Sequence, residues 1–283
     1  MTPFFGFRLP FAFLTVAAAA WLWLRVAATP AAQQLSWRWQ PLTVAGAPIH
    51  WRMDAWSGIV GLLILLLTAV AVLRVWDGDG DARGLPAVPA TERILWLAAA
   101  ATVFVCAANL LTVASSWLLL DALVLAQLYP GRQVEPARRT AGLLAMVAPL
   151  LLLVLAMLGE AGLPASLMGG RFGRQELTLL WLLGLIRAGV YPFHFWLTGR
   201  DPAGAGAQTV VSLLGPVAGI WFLARIQELA GAGLTRRPEW AALGVLALLG
   251  SALAAWLAEG PTWRWRWIAI NRASVTLLAT YAS

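Results

Sequence analysis

The sequence predicts an all-α, polytopic membrane protein with about nine transmembrane helices, one of them broken near Gly189–Pro192. Three observations carry this. Of 283 residues, 60% are hydrophobic and only 12% charged, where soluble domains carry roughly a quarter charged residues. The mean hydropathy is +0.75, too apolar for a chain that must cover itself with polar surface in water. Apolar stretches of spanning length then recur along the whole chain, as one membrane domain over 1–283. A lone cysteine, Cys106, inside an apolar run excludes a disulfide framework and gives no redox compartment.

The predicted helices fall at approximately 10–28, 55–75, 94–112, 114–129, 140–159, 177–197, 208–227, 240–258 and 266–282. The first follows a single basic residue, Arg8, and no clean cleavage site comes after it, so it reads as a retained helix rather than a signal peptide. Between the first two, residues 44–53 alternate apolar and polar groups around Gly-Ala-Pro, which predicts a small hairpin before helix two. The third and fourth are separated by a polar segment, Thr112–Ser116, read as a tight turn. In the sixth, Gly189 and Pro192 predict a break with exposed carbonyls, because proline lacks an amide donor and clashes with the preceding turn. Gly215-Pro-Val-Ala-Gly219 marks close helix packing. Ahead of the last helix, Trp263, Trp265 and Trp267 alternate with Arg264 and Arg266, an interfacial aromatic belt with snorkelling arginines.

Charge narrows the chemistry. All 20 basic side chains are Arg, with no Lys, and Arg stays protonated under protein conditions. A basic group that must release a proton can therefore only be His50 or His194. The net charge of +7 is spread over loops and reads as topology and headgroup contact, not as a nucleic-acid surface. Arg placement weakly favours an N-terminus in the cytoplasm. Asp77-Gly-Asp79-Gly-Asp81 opens like a calcium loop, but Ala82 and Val88 stand where that motif needs Gly and Glu, leaving an acidic turn. No metal-ligand cluster, phosphate loop, nucleophile–His–acid set or cofactor site is legible.

Asp121 and Arg187 lie well inside predicted helices, with His194 shortly beyond Arg187. A charge in hydrocarbon costs at least roughly 2.5–3.5 kcal/mol, so each must face a partner or a wet cavity. Two readings follow: an element of an ion path, or a structural ion pair that joins two helices.

Tyr191-Pro-Phe-His-Phe-Trp-Leu197 resembles the "PFHxWLP" signature of the antiporter-like membrane subunits of respiratory complex I, a family shared with multisubunit cation/proton antiporters. Val210-Val-Ser-Leu-Leu214, Ala218-Gly-Ile-Trp-Phe-Leu-Ala-Arg225, Met53-Asp-Ala-Trp-Ser57, and Asn109-Leu-Leu-Thr112 with Trp117 resemble further family stretches, in order, over about 43–280. The resemblance implies proton relay along a central row of Glu, Lys and His, other membrane subunits and lipid as partners, and a bacterial-type inner membrane. Departures accompany it. Arg187 stands at the family's Lys position, and Leu118 follows Trp117 where the family has Glu, with Asp121 as a substitute one turn on. Thr198 replaces the final Pro, and the stretch between Ser212 and Gly219 is shorter and lacks a basic residue. The family's second broken helix has no counterpart before Ser283.

On this reading Asp121 is the titrating acid, Arg187 its fixed counter-charge and His194 the nearest proton acceptor on the cytoplasmic side, within a complex I-type assembly. A cation/proton antiporter subunit, an inorganic-carbon uptake partner and a structural subunit without conduction are the alternatives.

Overall fold

A computed structural model describes residues 5–29, 34–38, 48–76, 90–128, 141–142, 147–148, 150–157, 166–167, 172–196, 205–230, 238–259, 264, 267–268, 270–275 and 278. The named helices are α1 (Phe5–Ala27), α2 (Ala55–Trp76), α3 (Ala90–Val105), α4 (Leu110–Leu128), α5 (Arg174–Ala188), α6 (Ala205–Ala230) and α7 (Pro238–Leu257). Further helical residues fall within 141–157 and 264–278. The acidic turn at Asp77–Asp81, Arg138 and Arg139, and Trp263 and Trp265 lie outside the described residues.

The architecture is the all-α bundle the composition demands. Among the described residues, two helices, over Ala55–Val72 and Glu239–Leu257, are by themselves long and apolar enough to cross a membrane, and shorter apolar helical stretches cover Phe13–Ala27, Ile94–Val105 and Leu110–Ala126. The outward faces are as apolar as the core: Leu63, Leu66, Trp96, Leu152, Leu246 and Leu253 all point away from the bundle. Apolar residues on both faces are stable only where lipid replaces water around the protein.

α6 lies at the centre, in contact with α2, α3 and α5, and α3 also packs against α2 and α4. Small residues set the closest approaches. A Cβ added at Gly219 of α6 would lie 2.2 Å from the Ala188 backbone nitrogen, and one at Gly184 of α5 would lie 2.5 Å from Leu223 Cδ2. The predicted close packing around Gly219 is therefore real and is directed at the last turn of α5. On the opposite flank, Gly61 receives the Trp23 indole from α1, whose Nε1 donates to the Gly58 carbonyl at 3.0 Å.

Three local expectations change. The hairpin exists, but β2 (Ile49–Arg52) pairs antiparallel with β1 (Gln34–Trp37), upstream of the expected residues. The break between α3 and α4 falls at Cys106–Asn109, while Thr112–Ser116 is helical. Asn109 is the reason: its Oδ1 accepts the Thr112 amide at 2.8 Å as an N-cap, and its Nδ2 donates to the Pro48 carbonyl at 2.6 Å. The freed backbone is taken up by the hairpin, since the Arg52 amide donates to Cys106 O at 2.7 Å and the Ala108 amide to His50 O at 2.9 Å. His50, one of the two possible proton-releasing bases, sits in this hairpin, with its own amide donating to Thr112 Oγ1 at 2.8 Å.

The third change is at the broken helix. α5 ends at Ala188, and a separate 3-10 turn follows over Phe193–Trp196. Gly189, at φ 67° and ψ 30°, takes the left-handed conformation that glycine tolerates. The Gly189 amide donates to Ile186 O and the Val190 amide to Leu185 O, both at 3.2 Å, which is a Schellman stop. Gly189 thus terminates the helix before Pro192 could interrupt it, and Pro192 follows on a cis Tyr191–Pro192 bond.

Candidate functional site: a buried ion pair beside a helix break

Arg187 occupies the last turn of α5, where a cation complements the helix dipole. Asp121 occupies α4, one turn beyond Trp117 on the same inward face. The structure brings these two predicted residues together: Arg187 Nη1 donates to Asp121 Oδ1. Both are about 2% exposed. Asp121 Oδ2, also buried, has no hydrogen-bond partner among the described residues. The Arg187 guanidinium lies over the Trp117 ring, 5.2 Å from its centroid, so one face of the cation is covered by an aromatic.

Leu118 points the other way, at 44% exposed. The resemblance makes Asp121 a substitute, one turn on, for position 118. The structure separates them: the inward side is shared by Trp117 and Asp121, four residues apart, and Leu118 faces outward.

His194 is not brought to the pair. Its half-buried ring stacks on Tyr191, with centroids 5.1 Å apart, and meets Trp267 at 4.6 Å. Among the described residues it makes no hydrogen bond to Asp121 or Arg187. Gly189 supplies the helix stop, and Pro192 precedes the turn that carries His194. Among the described residues no group of three or more His, Cys, Asp or Glu is placed to hold a metal ion.

A second ion pair went unnoticed in the sequence. Asp54 is the N-cap of α2: its Oδ1 accepts the Ser57 amide at 2.8 Å, and its Oδ2 accepts a hydrogen bond from Arg225 Nη2. Arg225, on α6, also donates to Glu228 Oε2 at 2.9 Å and to Ser57 Oγ at 3.3 Å. Burial pushes the Asp54 carboxyl up, but the Arg225 guanidinium and the Ser57 amide outweigh it and hold the group below the usual carboxylate range. Asp54 and Arg225 stand in two of the stretches that carried the family resemblance. What was missing was that the N-terminal end of α2 and the C-terminal part of α6 lie at the same end of the bundle.

The two pairs are joined by rings. Trp117 packs edge-on against Phe104 at 5.6 Å and Phe222 at 5.7 Å, Phe104 meets Trp221 at 5.4 Å, and Arg225 lies 5.6 Å from the Trp221 centroid.

No protein-family model and no curated protein sequence matches the chain. Its fold, however, matches solved membrane complexes over nearly its full length. A chain of respiratory complex I from Thermus thermophilus, solved with bound aureothin, aligns with 96% of this chain at 20% identity and a TM-score of 0.69. A chain of the membrane-bound sulfane sulfur reductase, an archaeal respiratory membrane complex, aligns with 97% at 15% identity and a TM-score of 0.75. A chain of the Mrp complex from Dietzia sp. DQ12-45-1b aligns with 96% at 14% identity and a TM-score of 0.76. The chain spans about half the length of these solved chains, 58%, 47% and 53% respectively. The fold is shared with chains of these complexes, as the sequence resemblance implied.

Proposed function

We propose that this chain is a multi-pass, antiporter-like subunit of an ion-translocating complex in a bacterial-type inner membrane, forming one membrane domain that contributes to proton movement. The observation that carries the proposal is the Asp121–Arg187 pair, buried in the interior of a fold shared with respiratory and Mrp membrane complexes and placed beside the Gly189 helix stop. Helices broken at membrane depth occur where backbone is packed in protein or lines a cavity.

The chemistry follows from what each group can do. Arg187 keeps its proton and acts as a fixed positive charge. Asp121 Oδ1 is held by that charge, and Oδ2 has no competing donor among the described residues, so Oδ2 is the atom that takes and releases the proton. A proton arriving on Asp121 removes the charge to which Arg187 Nη1 donates. His194, beyond the helix stop and half-buried, is the next base toward the same end, reached through water rather than by direct contact. The partners on this reading are other membrane subunits and lipid.

Purification in mild detergent from native membranes identifies those partners, and proton flux of the reconstituted complex tests the role. Asp121→Asn removes the titrating acid and keeps the shape; flux is expected to fall to background, and His194→Ala to reduce it. Unchanged flux in both variants would end the proposal and leave the pair as a structural clasp.

A further inference from the structure

We propose that the hairpin end of the bundle carries a docking surface for anionic phospholipid. Arg25, Arg38 and Arg52 face the phosphate layer, and Trp21, Trp37 and Trp56 face the glycerol layer beneath it. The inference rests on the membrane reading of the chain and is independent of proton movement by Asp121.

Three separate elements bring these groups to one end. Trp23 Nε1 donates to the Gly58 carbonyl at 3.0 Å, so the last turns of α1 run beside the first turn of α2. Arg25 lies two residues beyond Trp23 toward the end of α1, and Trp56 two residues before Gly58 toward the start of α2, each about 3 Å nearer the end of the bundle. The two therefore share a level to within a helical turn. Arg52 closes β2 just ahead of the Asp54 cap of α2, and Arg38 follows Trp37 at the end of β1. The Arg25 guanidinium stands 5.6 Å from the Trp21 ring centroid. All three tryptophans are more than half exposed, and all three arginines are exposed. Among the described residues none of these arginines forms a salt bridge, and Asp54, at the same end, is taken by Arg225.

The hairpin itself is two-faced. Cross-strand partners share a side of a β ribbon, so the register places Leu35 and Trp37 with Trp51 and Ile49, and Gln34 and Ser36 with Arg52 and His50. Ile49 is buried, whereas Leu35 and Trp37 are left exposed. An apolar half-face uncovered at the end of a membrane bundle belongs at headgroup depth, where indole rings are favoured and arginine stems snorkel toward the phosphates. A guanidinium holds a phosphate through two parallel N–H donors, and these arginines have no carboxylate competing for them among the described residues. A zwitterionic lipid brings a cation with every phosphate, so the preference is for lipids of net negative charge, at roughly fivefold per arginine. A protein partner would need carboxylates interleaved with apolar groups at the same depth; a lipid leaflet presents both layers already.

Two measurements on the complex purified in mild detergent test this. Native mass spectrometry with added phosphatidylglycerol or phosphatidylcholine reads the preference, which should favour phosphatidylglycerol by about tenfold or more. Arg25→Gln combined with Arg52→Gln should cut that preference by about tenfold, while Arg174→Gln, at an exposed arginine in the first turn of α5, should leave it unchanged. For depth, a nitroxide attached at Leu35→Cys in a Cys106→Ala background, in vesicles containing phosphatidylglycerol, should be relaxed more by oxygen than by a water-soluble nickel chelate. Equal binding of the two lipids, a loss as large in Arg174→Gln, greater access for nickel than for oxygen, or a label reached by neither because a neighbouring subunit covers it would each overturn the inference. A missing lipid preference with Asp121→Asn still abolishing flux would remove the lipid site and keep the carrier. An intact preference with unchanged flux would do the reverse.

Discussion

Replacing Arg187 by Met removes a buried charge at nearly constant chain length and takes away the cation that donates to Asp121 Oδ1. The Arg187 and Asp121 side chains are 2% and 3% exposed, so solvent screening does little to soften the loss. Breaking a buried pair from one side costs about 3–5 kcal/mol, most of it from the charge left behind. Loss of the cation over Trp117 adds about 0.5–2 kcal/mol more. Asp121→Leu alone removes the carboxylate that accepts from Arg187 Nη1 and should also destabilise. The double variant, Asp121→Leu with Arg187→Met, buries neither charge and should recover most of the loss, because apolar replacement of a complete pair is often neutral. The expected coupling energy is therefore roughly 3 kcal/mol or more, a factor of over a hundred in the folded population. Reversible unfolding in mixed micelles of mild detergent and dodecyl sulfate, for the wild type, both singles and the double, measures it directly. Additive losses, with coupling under about 1 kcal/mol, would show that the two charges do not depend on each other and would refute the reasoning.

Three further outcomes follow from the packing. Gly219→Ala drives a methyl into the Ala188 backbone, which cannot rotate away, and should cost about 1–3 kcal/mol in the same assay; an unchanged midpoint would mean the helices are not in contact there. Asn109→Ala removes the α4 cap and unpairs the Pro48 carbonyl. A loss of about 1–2 kcal/mol and faster proteolysis between β1 and β2 are expected, and equal cleavage rates would contradict the anchoring role. Asp54 has a folded-state affinity for protons below that of the unfolded chain. Its contribution is thus fully present above the ordinary carboxylate value of about 3.9 and is lost as pH falls through the lower folded value. Stability measured on descending from pH 5 should drop for the wild type and less steeply for Asp54→Asn; parallel curves would remove the pair from the account.

Much of this was legible because lipid imposes a simple rule on sequence. Runs of apolar residues located α2, α4, α6 and α7 to within a few positions, and intolerance of lone charges in hydrocarbon singled out Asp121 and Arg187 as natural partners on different helices. The boundaries that failed are those fixed by single side chains acting at a distance. Asn109 reads as one polar residue within an apolar stretch; its capping role shows only once Pro48, 61 residues earlier, is beside it. β2 was expected to turn back on its neighbours, and its true partner strand was invisible because four-residue strands carry little pattern. Leu118 and Asp121 looked interchangeable by spacing, but helical phase puts one toward lipid and the other toward Arg187. Asp54 and Arg225 sat in quoted motifs without being joined, since their pairing depends on which helix ends share a side of the bundle.

The hairpin-end ion pair also fixes an order of events during synthesis. Asp54 and Arg225 are 171 residues apart, whereas Asp121 and Arg187 are separated by 66. At roughly 5–20 residues per second, Asp54 leaves the ribosome about ten to thirty-five seconds before its cation exists. Asp121 waits less than half as long. For that interval the start of α2 carries an unpartnered carboxylate, which water at the membrane surface can hold and the hydrocarbon interior cannot. Emergence of α6 therefore supplies the cation that holds the start of α2, and a chain cut before Arg225 would keep α2 and the hairpin yet lack that contact.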